Sequence, residues 1–167
     1  MPWGLFIVGL IVVFLMQVGL VGALNLPFLD LFAVYALVLG LLLPTWDARL
    51  AAWVIGLVQD LGSDDALGLH AFSLGFAVVL LTRLRELVNL DPSWMRLLVA
   101  ALAALPAMLI VLLYGRLWMG ALAPSWGKGF LLSVMIAGVA GALATALTYS
   151  PRLRRRFAMQ RRRHRYY

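Results

Sequence analysis

Apolar residues fall into long stretches, at about residues 3–24, 26–43, 48–62, 66–84, 97–118 and 130–149, and the polar residues gather in the short gaps between them. A helix that crosses a bilayer needs about 20 mostly apolar residues, with a working range of roughly 17–25. The first stretch and the last two meet that length outright, and the stretch at 66–84 turns polar only at Arg83. The stretches at 26–43 and 48–62 are shorter and are parted by Pro44-Thr45-Trp46-Asp47, where Pro44 removes a backbone donor and favours a turn. The second of them is too short to cross comfortably, and three accommodations are open to it: tilting little, thinning the bilayer locally, or staying shielded inside a bundle. This pattern predicts an all-α integral membrane protein, a bundle of about six transmembrane helices over residues 1–150 followed by a basic cytoplasmic tail over 151–167.

Local signals refine the boundaries. Asp91-Pro92 places a preferred N-cap before a preferred first helical residue, so the fifth helix is expected to start there, and Pro106 inside it is expected to kink it. The N-terminus, Met1-Pro2-Trp3-Gly4, has no basic segment ahead of its apolar run, so that run is read as the first span and not as a cleaved signal. Cytoplasmic loops carry the excess of Lys and Arg. With six spans and the N-terminus inside, the inner side receives Arg49, Arg83, Arg85, Arg96 and eight tail arginines, twelve in all, against Arg116 and Lys128 outside. Both termini are therefore expected in the cytoplasm, with the turn Gly62-Ser63-Asp64-Asp65 outside.

Composition fits a chain whose solvent is lipid: 64% of the 167 residues are hydrophobic, against roughly 45–50% in soluble proteins. The mean hydropathy is +0.97. The absence of cysteine excludes disulfides, thiolate metal sites and cysteine nucleophiles. A net charge of +7 would suggest nucleic acid in a soluble protein, but eight of the fourteen basic residues follow Pro151, so the charge belongs to the tail and no nucleic-acid partner is expected. In that tail Arg154, Arg155, Arg156, Arg161, Arg162 and Arg163 suit a surface of anionic lipid, at about 1 kcal/mol per basic residue, and serve equally as a topology determinant.

The informative residues are the polar ones inside apolar runs, where a charge costs roughly 2.5–3.5 kcal/mol at mid-helix. They are Gln17, Asp30, Gln59, Asp60 and His70, and all but Gln17 are expected near the outer side. The densest stretch runs from Gly56 through Gln59, Asp60 and Gly68 to His70 and Phe72, joining two helices by a short acidic turn. Such a turn makes the helices antiparallel neighbours and brings Asp60 and His70 to similar depth. Three uses compete for them: capping and contact with headgroups, a buried structural pair that lowers the cost of both, and a chemical or transport role.

Other constellations fail as chemistry. Asp64-Asp65 lacks the roughly six oxygen ligands of a calcium or magnesium site and reads as a solvated turn. The two histidines, His70 and His164, are expected on opposite faces, no glycine-rich phosphate loop follows a strand, and no serine has a histidine and an acid placed for a triad. No enzyme activity, metal or cofactor is expected, and the sparse polar inventory argues against a ligand cavity. The sixth stretch carries Ala137, Gly141 and Thr145 at four-residue spacing, with Gly138, Ala142 and Ala146 one step round, and the fifth has Ala100, Ala103, Ala104 and Ala107. Small-residue stripes allow close helix approach. Ala137, Gly141 and Thr145 are thus either internal packing or a docking face for another protein's helix, and the latter is the expectation carried forward.

Gly56-Leu57-Val58-Gln59-Asp60, followed after a short turn by Leu67-Gly68-Leu69-His70-Ala71, resembles the signature of the rod shape-determining MreD family. Chain length, the apolar first helix, Pro27 and Asp30 opening the second stretch, and the basic end are also similar, although Phe28-Leu29 separates a proline and an aspartate that are usually adjacent in that family. The resemblance implies a multi-pass protein of the bacterial inner membrane and a non-catalytic subunit of the cell-elongation machinery. Its implied partners are the single-span protein MreC and, with it, the RodA glycosyltransferase and a penicillin-binding transpeptidase, whose peptidoglycan synthesis it would position. It also implies a fold similar to the substrate-binding membrane subunits of vitamin uptake (ECF-type) transporters. That likeness supplies the rival reading, a binding subunit for small-molecule uptake.

Overall fold

The structure, a computed structural model, describes residues 3–24, 26, 28–63, 65–88, 90–119 and 125–149. Among these, regular structure is entirely helical and forms six helices. They are α1 (Trp3–Leu24), α2 (Leu31–Leu42), α3 (Thr45–Leu61), α4 (Leu69–Leu87), α5 (Ser93–Met119) and α6 (Trp126–Thr148). Three of them, α1, α5 and α6, are long and apolar enough to cross a membrane. At about 1.5 Å per residue, their 22, 27 and 23 residues exceed a hydrocarbon core of about 30 Å.

The two short stretches depart from expectation in opposite directions. Helix α2 is only 12 residues long because Asp30 acts as its N-cap and, ahead of it, Leu29 N–H donates to the Leu26 carbonyl in a turn. Helix α3 is longer than expected, because Pro44 is its N-cap and Thr45-Trp46-Asp47 form its first turn instead of a loop. Helix α5 starts at Ser93, one residue after Pro92, and runs unbroken through Pro106. Helix α1 contains a π turn at Gln17–Val21 that the apolar pattern did not signal.

Helix α2 is the centre of the bundle. Nine of its twelve residues are buried and it touches all five other helices, which is the setting of a helix apolar on every side. Side chains satisfy backbone groups at both of its ends, which the helix cannot pair internally. At its start, Leu31 N–H donates to Gln17 Oε1 at 2.9 Å and Ala33 N–H to Asp30 Oδ1 at 3.1 Å. At its end, Arg85 Nη1 donates to the carbonyls of Gly40, Leu43 and Leu41 at 2.9, 3.0 and 3.3 Å. Buried hydroxyls turn back on their own helices, as when Ser133 donates to the Gly129 carbonyl and Thr148 to that of Thr145.

Helices α5 and α6 form an alanine seam. Ala100, Ala103, Ala104 and Ala107 are buried, as are Ala137, Ala140 and Ala144. A Cβ at Gly141 would lie 2.9 Å from the backbone nitrogen of Ala101. The expected docking stripe Ala137, Gly141 and Thr145 is therefore buried within the protein's own bundle, with Gly141 against α5. It is not a free face, because the small side chains that invite a partner helix have already admitted a neighbour. At the two ends of this pair Arg96 lies over the Tyr149 ring and Arg116 over Trp126, which fixes the helices antiparallel.

Candidate functional site

Asp60 is the organising residue. Its side chain, fully buried at the end of α3, accepts hydrogen bonds from Gly68 N–H at 2.9 Å, His70 N–H at 2.8 Å and Ala71 N–H at 3.1 Å. His70 Nδ1 lies 3.0 Å from Asp60 Oδ1. A carboxylate that already takes three N–H groups calls for a proton on Nδ1, so the ring is its fourth donor. Asp60 thus caps α4 from a different helix, satisfying N–H groups that α4 cannot pair internally. Gly68 precedes α4 in the left-handed conformation, with φ of 95°, a position that favours glycine. Gly56 brings the two helices together: a Cβ there would sit 2.4 Å from Ala71 Cα and 2.5 Å from the His70 carbonyl oxygen.

A second cluster adjoins the first. Gln59 Nε2 donates to Asp30 Oδ2 at 3.3 Å, so one carboxylate caps α2 and ties it to α3. This contact fixes the Gln59 amide, since the flipped group would set oxygen against oxygen. Gln59 Oε1 is buried with no partner. Gln17 Nε2 reaches the Leu29 carbonyl at 3.5 Å, and Ser73 Oγ donates to the His70 carbonyl at 3.2 Å. Asp65 Oδ2 stands 3.8 Å from His70 Nε2.

These side chains surround a cavity of about 380 Å³ lined by Gln17, Asp30, Gln59, His70 and Ser73. That volume falls within the range of roughly 300–1,000 Å³ for ligand pockets. The expectation of no cavity is corrected here: the polar residues are few, but they converge on one space. Gln17, the exception by depth in the sequence, joins the cluster because the π turn of α1 carries it to the start of α2. Ser73 and Arg85 were not singled out as site residues, and a serine three residues after a histidine or an arginine between apolar runs gives no signal of its own. Among the described residues, no group of three or more His, Cys, Asp or Glu side chains is placed to hold a metal ion. The tail arginines Arg154, Arg155, Arg156, Arg161, Arg162 and Arg163, and Asp64 of the acidic turn, lie outside the described residues. No family model, curated protein or solved structure matches the chain.

Proposed function

We propose that the chain is an MreD-like, non-catalytic scaffold of the bacterial inner membrane, with six spans and both termini in the cytoplasm, which binds an MreC-like single-span protein and through it positions RodA and a penicillin-binding transpeptidase for peptidoglycan synthesis. The observation that carries this reading is the use of the signature-like stretch: Asp60, Gly68 and His70 spend their hydrogen bonds joining α3 to α4. A structural use of that kind suits a subunit whose product is a fixed surface. Helix α1 offers such a surface, since Ile7, Val8, Ile11, Val12, Leu15 and Val18 are exposed along it. The tail would rest on anionic lipid.

The cavity favours the second reading, a membrane substrate-binding subunit of an uptake transporter with the corresponding fold. Co-expression of the full chain with an MreC-like protein, then detergent extraction and size-exclusion chromatography, separates the two. A stable complex with the MreC-like protein is expected. Co-elution instead with a transporter's energy-coupling membrane subunit, and none with the MreC-like protein, would replace the scaffold by the transporter.

A further inference from the structure

The cavity has a chemical bias. Four of the donor hydrogens around it are committed internally: one amide N–H of Gln59 to Asp30, one of Gln17 to Leu29, the Ser73 hydroxyl to the His70 carbonyl and His70 Nδ1–H to Asp60. What remains is the acceptor capacity of the Asp30 carboxylate, beside the second amide N–H of Gln17 and of Gln59. Asp30 brings a negative charge, and among the described residues no lysine or arginine lines the space. A cationic donor suits the Asp30 carboxylate, and an anion would meet that carboxylate in a setting of low dielectric. The rest of the lining includes Leu74, Met108, Val111 and Ile136. Met108 and Ile136 lie near the middle of α5 and α6, so the cavity reaches the depth of the hydrocarbon core.

We propose that this cavity binds a protonated primary amine carried on an apolar body, with the ammonium against Asp30 and the apolar part against Met108, Val111 and Ile136. The same chemistry has two sources, a soluble alkylamine-like molecule and the ethanolamine headgroup of a membrane lipid. The site stands on the cavity's own groups and depends on neither reading of the protein's function.

The test uses the full chain, purified in a neutral detergent, with octylammonium, octanol and octanoate as probes. Calorimetry and thermal unfolding should show saturable binding of octylammonium, with octanol weaker and octanoate absent. Asp30→Asn keeps an oxygen for Ala33 N–H but removes the charge, and should weaken octylammonium binding about tenfold or more. Val111→Trp, which fills the cavity without touching its polar wall, should abolish binding and secures the test should Asp30→Asn unfold. In nanodiscs, displacement of octylammonium by phosphatidylethanolamine but not phosphatidylcholine identifies the lipid as the source; no displacement by either assigns a soluble amine. Octanoate binding as tightly as octylammonium, or octylammonium binding unchanged in both variants, would overturn the proposal.

Discussion

Asp60 Oδ1 on α3 and His70 Nδ1 on α4 are 3.0 Å apart, and the same carboxylate holds the N–H groups of Gly68, His70 and Ala71. The imidazole is thus one of four donor groups, so the two residues are unequal in what the loss of their side chains exposes. Asp60→Ala leaves three backbone donors and a ring nitrogen without an acceptor and should lower stability by about 3–5 kcal/mol. His70→Ala leaves the carboxylate three bonds and should cost about 1–2 kcal/mol. Asp60→Asn, with one acceptor oxygen kept and the other replaced by a donor, should fall between. Fluorescence-detected size-exclusion thermostability gives the order, and equal losses for the two alanine variants would sink the capping account.

Close approach of α3 and α4 makes Gly56 a sensitive position. Its added Cβ meets the backbone of His70 and Ala71, which cannot rotate away, so Gly56→Ala should cost about 1–3 kcal/mol. Gly115 on α5 has nothing within 4 Å of an added Cβ. Gly115→Ala should be neutral or stabilising by up to about 1 kcal/mol. The same thermostability measurement compares them, and a harmless Gly56→Ala would mean that α3 and α4 stand further apart than described.

Gly141 is enclosed by Ala101, whereas Ala142, one residue on, is exposed. Gly141→Leu is therefore expected to reduce folded protein and complex formation together, and Ala142→Leu to leave the monodisperse fraction unchanged. A well-folded Gly141→Leu protein that loses only an MreC-like partner would return the docking face to the seam.

Orientation is testable with single cysteines, because the chain has none of its own. Leu67 and Leu87, at the two ends of α4, are 74% and 81% exposed, so thiols there are reachable. A membrane-impermeant maleimide on intact cells should label Leu67→Cys and spare Leu87→Cys until the membrane is opened. Labelling of both from outside would overturn the proposed topology.

How much of this was legible beforehand depends on the range of the interaction concerned. Hydropathy is local, so the amino-acid sequence determined the helical class, the six apolar stretches and the long spans α1, α5 and α6; their composition alone makes burial in lipid favourable. A short turn between two helices constrains depth, which made the Asp60–His70 approach readable from spacing. Tertiary structure decided what depends on neighbours distant in the chain. Which face of α6 is covered could not be read from a stripe that repeats on adjacent faces, and packing against Ala101 chose the Gly141 side. The central place of α2 depends on its end groups finding Gln17 and Arg85, 14 and 42–45 residues away, since the backbone groups a helix cannot pair internally need partners that only other helices bring. The cavity belongs to the same class: single amides and acids in separate apolar runs mean little one by one, and they became a site when the fold set them around a common space.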